Sequence, residues 1–375
     1  MKIALVGTAF PFRGGIAHWN MQLAEALARR HTVDIFNFRR QYPDFLFPGS
    51  SQLEQAAAPP PIPAPRLVDS VNPLNWISVG RMIRRTAPDL LIFRFWLPFF
   101  GPCFGTIARF AKKGTAARAL FICDNVLPHE PRPFDRTLTR YAFRQADGFL
   151  VQSGAVERDL LSFWPGARYR MAPHPVYNMF GERIDRDDAR QRLGIQGRRV
   201  VLFFGYVRPY KGLDVLLQAM GALNPALDTE LVVAGEFYEE RRRYDELIQA
   251  LPTGTRVTVR AEYTPTGRVR EYFSAADVVV LPYRSATQSG IAQIAYNFDV
   301  PVIATDVGGL AEVVSNGVTG LVVPAGDPRA LANALESFFS GTTADRFREG
   351  VRAEKARYTW EHMVSTIEAL AEEIR

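Results

Sequence analysis

The feature that most constrains this chain is a recurring unit: a short, almost wholly apolar run, a polar or glycine-bearing turn, then apolar residues at helical spacing. Residues 2–7 form the first such run; Gly14-Gly15 follow, and Ile16, Trp19, Leu23, Ala26 and Leu27 then recur on one helical face. Strands are predicted again at 31–38, 89–95, 119–123 and 148–152, with helical stretches between them. Apolar runs without alternation belong to strands covered on both sides, the signature of a parallel sheet between helical layers. A second series is predicted at 199–205, 230–235, 256–260, 277–281, 301–305 and 320–323.

A chain of 375 residues exceeds one ordinary core. The two series therefore predict two domains, 1–175 and 176–357, joined near Pro173-His174-Pro175. An amphipathic helix over about 358–375 is expected to pack back on the first. The expected fold class is α/β, two Rossmann-like doubly wound halves facing across a cleft, with ligands beyond the carboxyl ends of the strands. The run 56–65, with five prolines, is read as an extended surface loop, since proline cannot donate to a ladder.

Apolar residues make up 47% and charged residues 22%, an ordinary globular composition that excludes wholesale disorder. Cys103 and Cys123 lack CxxC or Cys/His spacing, so neither a disulfide framework nor a zinc site is expected. No signal peptide or run of about 18 apolar residues is visible, and the most apolar stretch, 93–105, is interrupted by Arg94, Pro98 and Pro102. A cytoplasmic place follows, with a peripheral position on the inner face of the membrane added by charge. Residues 1–178 carry a net +10 and residues 179–375 a net −4. Arg81, Arg84, Arg85, Arg109, Lys112 and Lys113, near Trp96, Phe99 and Phe100, suit an anionic membrane surface. No nucleic-acid-binding pattern accompanies them.

Four segments carry chemistry. In Phe203-Phe204-Gly205-Tyr206-Val207-Arg208-Pro209-Tyr210-Lys211-Gly212, a strand ends at Gly205 and a loop bears two cations; a guanidinium fork and a mobile ammonium together suit a diphosphate. Gly14 and Gly15 occupy the equivalent place in the first half, where backbone amides can approach an anion at a helix start, although a plain tight turn fits as well. In Thr287-Gln288-Ser289-Gly290, Ser289 and Gly290 present amides to phosphate while Thr287 and Gln288 reach sugar hydroxyls, with an ordinary helix cap as the alternative. Asp124, Asn125 and His129 cluster after a first-half strand and could bind hydroxyls or handle a proton; a structural histidine fits equally.

At these places together the chain resembles glycosyltransferase family 4, retaining sugar transferases of the GT-B fold. Gly14-Gly15, Gly205, Arg208, Lys211-Gly212 and the run Pro301-Val302-Ile303-Ala304-Thr305-Asp306-Val307-Gly308-Gly309 carry the resemblance. It implies that Arg208 and Lys211 neutralise a donor diphosphate, that Gly14, Gly15 and Gly205 lie close to it, and that Glu236, Glu262 and Tyr263 neighbour the nucleoside. Two departures stand out. Ala286 and Ile294 occupy the positions of the family's Glu-x7-Glu motif, leaving those contacts to Thr287, Gln288 or Gln293. Asp124 stands where a histidine is often found.

The resemblance implies transfer from a nucleoside-diphosphate sugar to a glycan or polyprenyl-lipid-linked acceptor, in cell-surface polysaccharide synthesis. It is expected to need no cofactor and no metal, with Asp124 and His129 as catalytic candidates beside Arg208 and Lys211. A sugar-nucleotide 2-epimerase of the same fold and a silent binding subunit are the alternatives at this stage.

Overall fold

The computed structural model describes residues 1–43, 51–54, 61–128 and 132–375. Contacts divide it into two compact units, Met1–Pro175 with Thr359–Arg375, and Val176–Tyr358.

The first unit contains strands β1 (Lys2–Val6), β2 (Thr32–Arg40), β3 (Arg66–Asp69), β4 (Leu90–Phe95), β5 (Arg118–Cys123), β6 (Gly148–Val151) and β7 (Tyr169–Met171). Between them run helices α1 (Gly15–Ala28), α2 (Pro73–Arg85), α3 (Gly101–Lys112), α4 (Asp135–Phe143) and α5 (Gly154–Phe163). All strands are parallel, in the order β3-β2-β1-β4-β5-β6-β7. Every residue of β4 is buried. Leu91, Phe93 and Phe95 face one side, in a core with Val79 and Ile83 of α2, Phe104 and Ile107 of α3 and Phe143 of α4. Each such burial is worth about 1.5–3 kcal/mol.

The second unit contains β8 (Arg199–Phe204), β9 (Thr229–Ala234), β10 (Arg256–Arg260), β11 (Val278–Leu281), β12 (Val302–Thr305) and β13 (Gly320–Val323), parallel in the order β10-β9-β8-β11-β12-β13. Its helices are α6 (Arg186–Leu193), α7 (Leu213–Gly221), α8 (Arg242–Gln249), α9 (Val269–Ala275), α10 (Gly290–Asn297), α11 (Leu310–Val313), α12 (Pro328–Phe338) and α13 (Thr343–Glu354). The chain then returns to the first unit as α14 (Trp360–Glu373), which packs beside α1 and buries Met363, Val364, Ile367 and Leu370.

Two strands escape the apolar-run reading, both at sheet edges. In β3 a half-buried Leu67 and a buried Val68 lie between Arg66 and Asp69, and β7 exposes two of its three residues. An edge strand has one partner and a partly wet face, so it does not need the continuous apolar run that marks a central one. Of the proline-rich run, residues 56–60 lie outside the described residues, as does His129. Cys103 and Cys123 are buried free thiols. No described helix is long and apolar enough to cross a membrane.

Candidate functional site

Within each unit the strand order reverses beside the first strand. The chain lays β1, β2 and β3 in one direction and then starts β4 on the other side of β1; β8, β9, β10 and β11 repeat the pattern. Helices leave such neighbouring strands toward opposite faces, which opens a crevice at the strands' carboxyl ends. In the second unit that switch point is flanked by the loop after β8, bearing Gly205, Arg208 and Lys211, and the loop after β11, bearing Thr287 to Gly290.

Gly205 adopts φ 97°, which favours glycine. A methyl group there would stand 3.2 Å from Lys211 Nζ and 3.4 Å from Ile291 at the start of α10. The bare Cα thus leaves the space that the ammonium fills. Residues 209–211 form a single 3₁₀ turn closed by the Lys211 N–H donating to the Arg208 carbonyl at 2.9 Å. The turn ends at Gly212, in the left-handed region with φ 67°, where a methyl group would meet the Pro282 carbonyl oxygen at 2.0 Å. The chain after β8 therefore rests directly on the chain after β11.

Lys211 is only 8% exposed. Its Nζ lies 5.4 Å from the centre of the Tyr283 ring, and the Tyr283 hydroxyl is 3.5 Å from Ser289 Oγ. Among the described residues no carboxylate lies within ion-pair distance of Lys211. Burial pushes its pKa below the ordinary lysine range; nearby Tyr210 opposes the shift and Arg208 reinforces it. Burial likewise raises the Tyr283 hydroxyl to about 12, so it stays protonated. Ser289 is the N-cap of α10, yet its side chain does not cap the helix. The first-turn amides of α10, which have no acceptor within the helix, begin at Gly290, next to Ile291, whose side chain borders the same space over Gly205 as the ammonium.

Arg208 is exposed, with its guanidinium 4.9 Å from the centre of the Tyr238 ring, which stacks on Tyr206 at 4.5 Å and 25°. This aromatic pair limits where the guanidinium can go. The Val207 N–H donates to the Glu236 carbonyl at 2.9 Å, which sets half-buried Glu236 beside the same loop. Thr287 is buried and Gln288 half-buried. Exposed Glu262 and half-buried Tyr263 follow β10, the edge strand two places from β8, roughly 10 Å across the sheet. The structure thus gathers Gly205, Lys211, Ser289 and Gly290 closely, Arg208 and Glu236 at their flank, and Glu262 and Tyr263 farther off.

Gly14 and Gly15 open α1 at the carboxyl end of β1 in the first unit. Asp124 has a partner that no sequence pattern marked: Arg94 of β4 donates Nε and Nη2 to its two carboxylate oxygens at 2.7 and 2.9 Å. Both residues are buried, and the Arg94 guanidinium also covers the Trp19 ring at 4.0 Å. His174 packs edge-on against Trp19 and is neutral, its pKa lowered to about 3 by burial and by Arg94. Asp124 therefore enters as half of a buried ion pair; His129 lies outside the described residues. Sequence reasoning missed Arg94, Tyr238, and the pair Asp214–Arg284 described below. Arg284 stands three residues before the Thr287-Gln288-Ser289-Gly290 segment singled out after β11.

Two family models cover most of the chain: one described as glycosyl transferases group 1 matches residues 198–340, and one described as a glycosyl transferase 4-like domain matches residues 14–176. The D-inositol 3-phosphate glycosyltransferase of Rhodococcus erythropolis is 35% identical over 201 residues, covering 51% of this chain and 44% of that protein. The chain spans about half the length of the curated relatives it matches. Among solved structures, the sucrose-phosphate synthase of Thermosynechococcus elongatus matches with TM-score 0.73 at 22% identity, over 99% of this chain and 98% of that one. The HepE protein of Anabaena, in complex with UDP-glucose, matches with TM-score 0.73 at 18% identity, over 100% and 99%. At these identities the structural likeness is one of fold.

Proposed function

Since the chain belongs to the group 1 glycosyltransferases, with a glycosyl transferase 4-like first domain and a GT-B fold, we propose that it moves a sugar from a nucleoside-diphosphate donor to a hydroxyl of a glycan or lipid-linked acceptor. One observation carries the reading: Lys211 is a buried cation with no carboxylate at ion-pair distance among the described residues, set near the start of α10, whose N-cap Ser289 makes no side-chain capping bond. A buried unpaired charge is costly, and a diphosphate is the group that both the ammonium and the helix start favour.

In the proposed step the bond from the sugar's anomeric carbon to the diphosphate oxygen breaks, and its electron pair leaves with the diphosphate. The acceptor oxygen bonds to that carbon from the same face, and its proton passes to a donor phosphate oxygen. Configuration is retained. Lys211, Arg208 and the first-turn amides of α10 stabilise the departing charge, so the step as written calls on no metal ion. Thr287 and Gln288 are assigned to sugar hydroxyls, and Glu236, Glu262 and Tyr263 to the nucleoside.

A thermal-shift series with uridine, guanosine and adenosine diphosphates and their sugars tests this reading. At about 100 times its dissociation constant, the matching nucleotide adds about 2.7 kcal/mol to stability. The pH dependence follows from Lys211. Its pKa in the free fold lies below the unfolded value. The charged form therefore costs the apo protein stability in full below the folded pKa, and that cost shrinks as pH rises above it and is gone above the unfolded pKa. The ligand needs the charged form, so the shift is largest below the depressed pKa and fades above it. Absence of a shift with every nucleotide sinks the proposal. Incubation with donor alone separates transfer from epimerisation.

The acceptor is proposed to be met at an anionic bilayer surface. Helices α2 and α3 contain no Asp or Glu, and the only carboxylate of α4, Asp135, is buried. Arg81, Arg85, Arg109, Lys113, Arg140 and Arg144 are exposed on these adjoining helices and their ends. The apolar partners differ from those expected. Phe100 is fully buried, and Trp96 and Phe99 pack against it at 4.4 and 5.0 Å. Leu74 and Phe134, 78% and 76% exposed, and Met82 take that part instead. Each cation near such a surface contributes about 1 kcal/mol at moderate salt. Co-sedimentation is therefore expected with phosphatidylglycerol-containing vesicles and lost at about 1 M salt, where the screening length is about 3 Å. Equal sedimentation with neutral vesicles overturns this part.

A further inference from the structure

Arg284 lies in the loop after β11, but its bonds go to the loop after β8. Its backbone N–H donates to the Tyr210 carbonyl at 2.6 Å, and its guanidinium Nη1 donates to the Pro209 carbonyl at 2.8 Å. The same guanidinium grips both carboxylate oxygens of Asp214, at 2.9 and 2.8 Å. Asp214 is 5% exposed in the first turn of α7, and Arg243 of α8 also donates to it, at 2.6 Å. One planar group thus ties together the 209–211 turn, the helix that follows it, and the loop leading to α10.

We propose that Arg284 is a positioning residue. By clamping the 209–211 turn to Asp214, it holds the Lys211 ammonium in its buried place between Gly205 and Tyr283, ready for the donor diphosphate. The inference rests on the reading of that turn as the diphosphate grip, and it adds a residue that need not touch the donor. The Arg284 side chain is 42% exposed, and ion pairs that wet add little to stability. Its consequence is therefore geometric. The 209–211 turn is a three-residue 3₁₀ segment, too short to hold a flexible lysine side chain in one place by its own hydrogen bonds. A planar fork can meet a carbonyl and two carboxylate oxygens at once, whereas an ammonium cannot, so lysine is a poor substitute.

The test compares wild type with Arg284→Gln and Arg284→Lys in three measurements. These are the apo melting temperature, the affinity for the nucleoside diphosphates used above, and the pH profile of Lys211 acetylation by acetic anhydride, read on its peptide. Lys211 is one of five lysines, so the peptide is readily resolved. Expected are a nearly unchanged melting temperature, an affinity lowered about tenfold or more in both variants, and a Lys211 profile moved up toward that of an ordinary lysine. A displacement near 1 Å is enough for losses up to about 100-fold in turnover. Wild-type affinity in Arg284→Gln, full rescue by lysine, or an unchanged acetylation profile overturns the clamp. A wild type that ignores every diphosphate overturns the donor reading instead, and the acetylation profile still decides the clamp.

Discussion

Lys211→Met is expected to lower sugar transfer by about 10²–10³-fold, the loss seen when one preorganised group that stabilises developing charge is removed. Methionine keeps the length and apolar stem of the side chain, so the pocket between Gly205 and Tyr283 stays filled. The same change should leave the apo protein as stable as before or more so, because it deletes a buried cation that has no carboxylate partner among the described residues. Opposite signs for stability and turnover are the fingerprint of a functional group, and a structural lysine would lose both together. Arg208→Ala should cost less, since that guanidinium is exposed and partly screened by water. Initial rates with saturating donor, set beside melting curves, check both variants. Wild-type turnover in Lys211→Met would remove the leaving-group role.

Asp124→Ala should act through the opposite route. Its carboxylate is held by two charge-assisted bonds to Arg94, itself 3% exposed. Removing one member of a buried pair strands the other, at a cost of about 3–5 kcal/mol. For a unit of this size that lowers the melting temperature by roughly 6–20 °C. The double variant Arg94→Met with Asp124→Leu removes both charges and should recover most of the loss, because apolar groups of similar volume replace a buried ion pair at little cost. Its turnover then separates two duties that the single variant confounds. Activity that returns with stability marks Asp124 as a structural residue; a stable but inactive double variant restores it to the chemistry.

These two residues also mark how far the sequence could be read. Lys211 was legible because its chemistry is local: an apolar strand, a glycine, two cations and a helix start within ten residues of chain, at the strand end where open α/β sheets bind ligands. Arg94 was not. Within β4 it reads as an interruption of an apolar run, and only the placement of β5 beside β4 shows that Asp124 meets it from thirty residues away. Tyr238 is a similar case, since it follows β9 and reaches Arg208 only because β9 pairs with β8.

Local pattern alone determined the class of the fold. Continuous β-branched and aromatic runs need cover on both faces, and helices at regular intervals supply it, so parallel sheets follow from composition and spacing. Eleven of the thirteen described strands were expected from the sequence, and the two that were not, β3 and β7, are edges with one partner. What the tertiary structure decided was strand order. Placing β11 against β8, with β9 and β10 on the far side, brings Arg284 to Asp214 across seventy residues and the Tyr283 ring to the Lys211 ammonium. Strand pairing is set by packing between distant segments, and no periodicity within either segment encodes its neighbour.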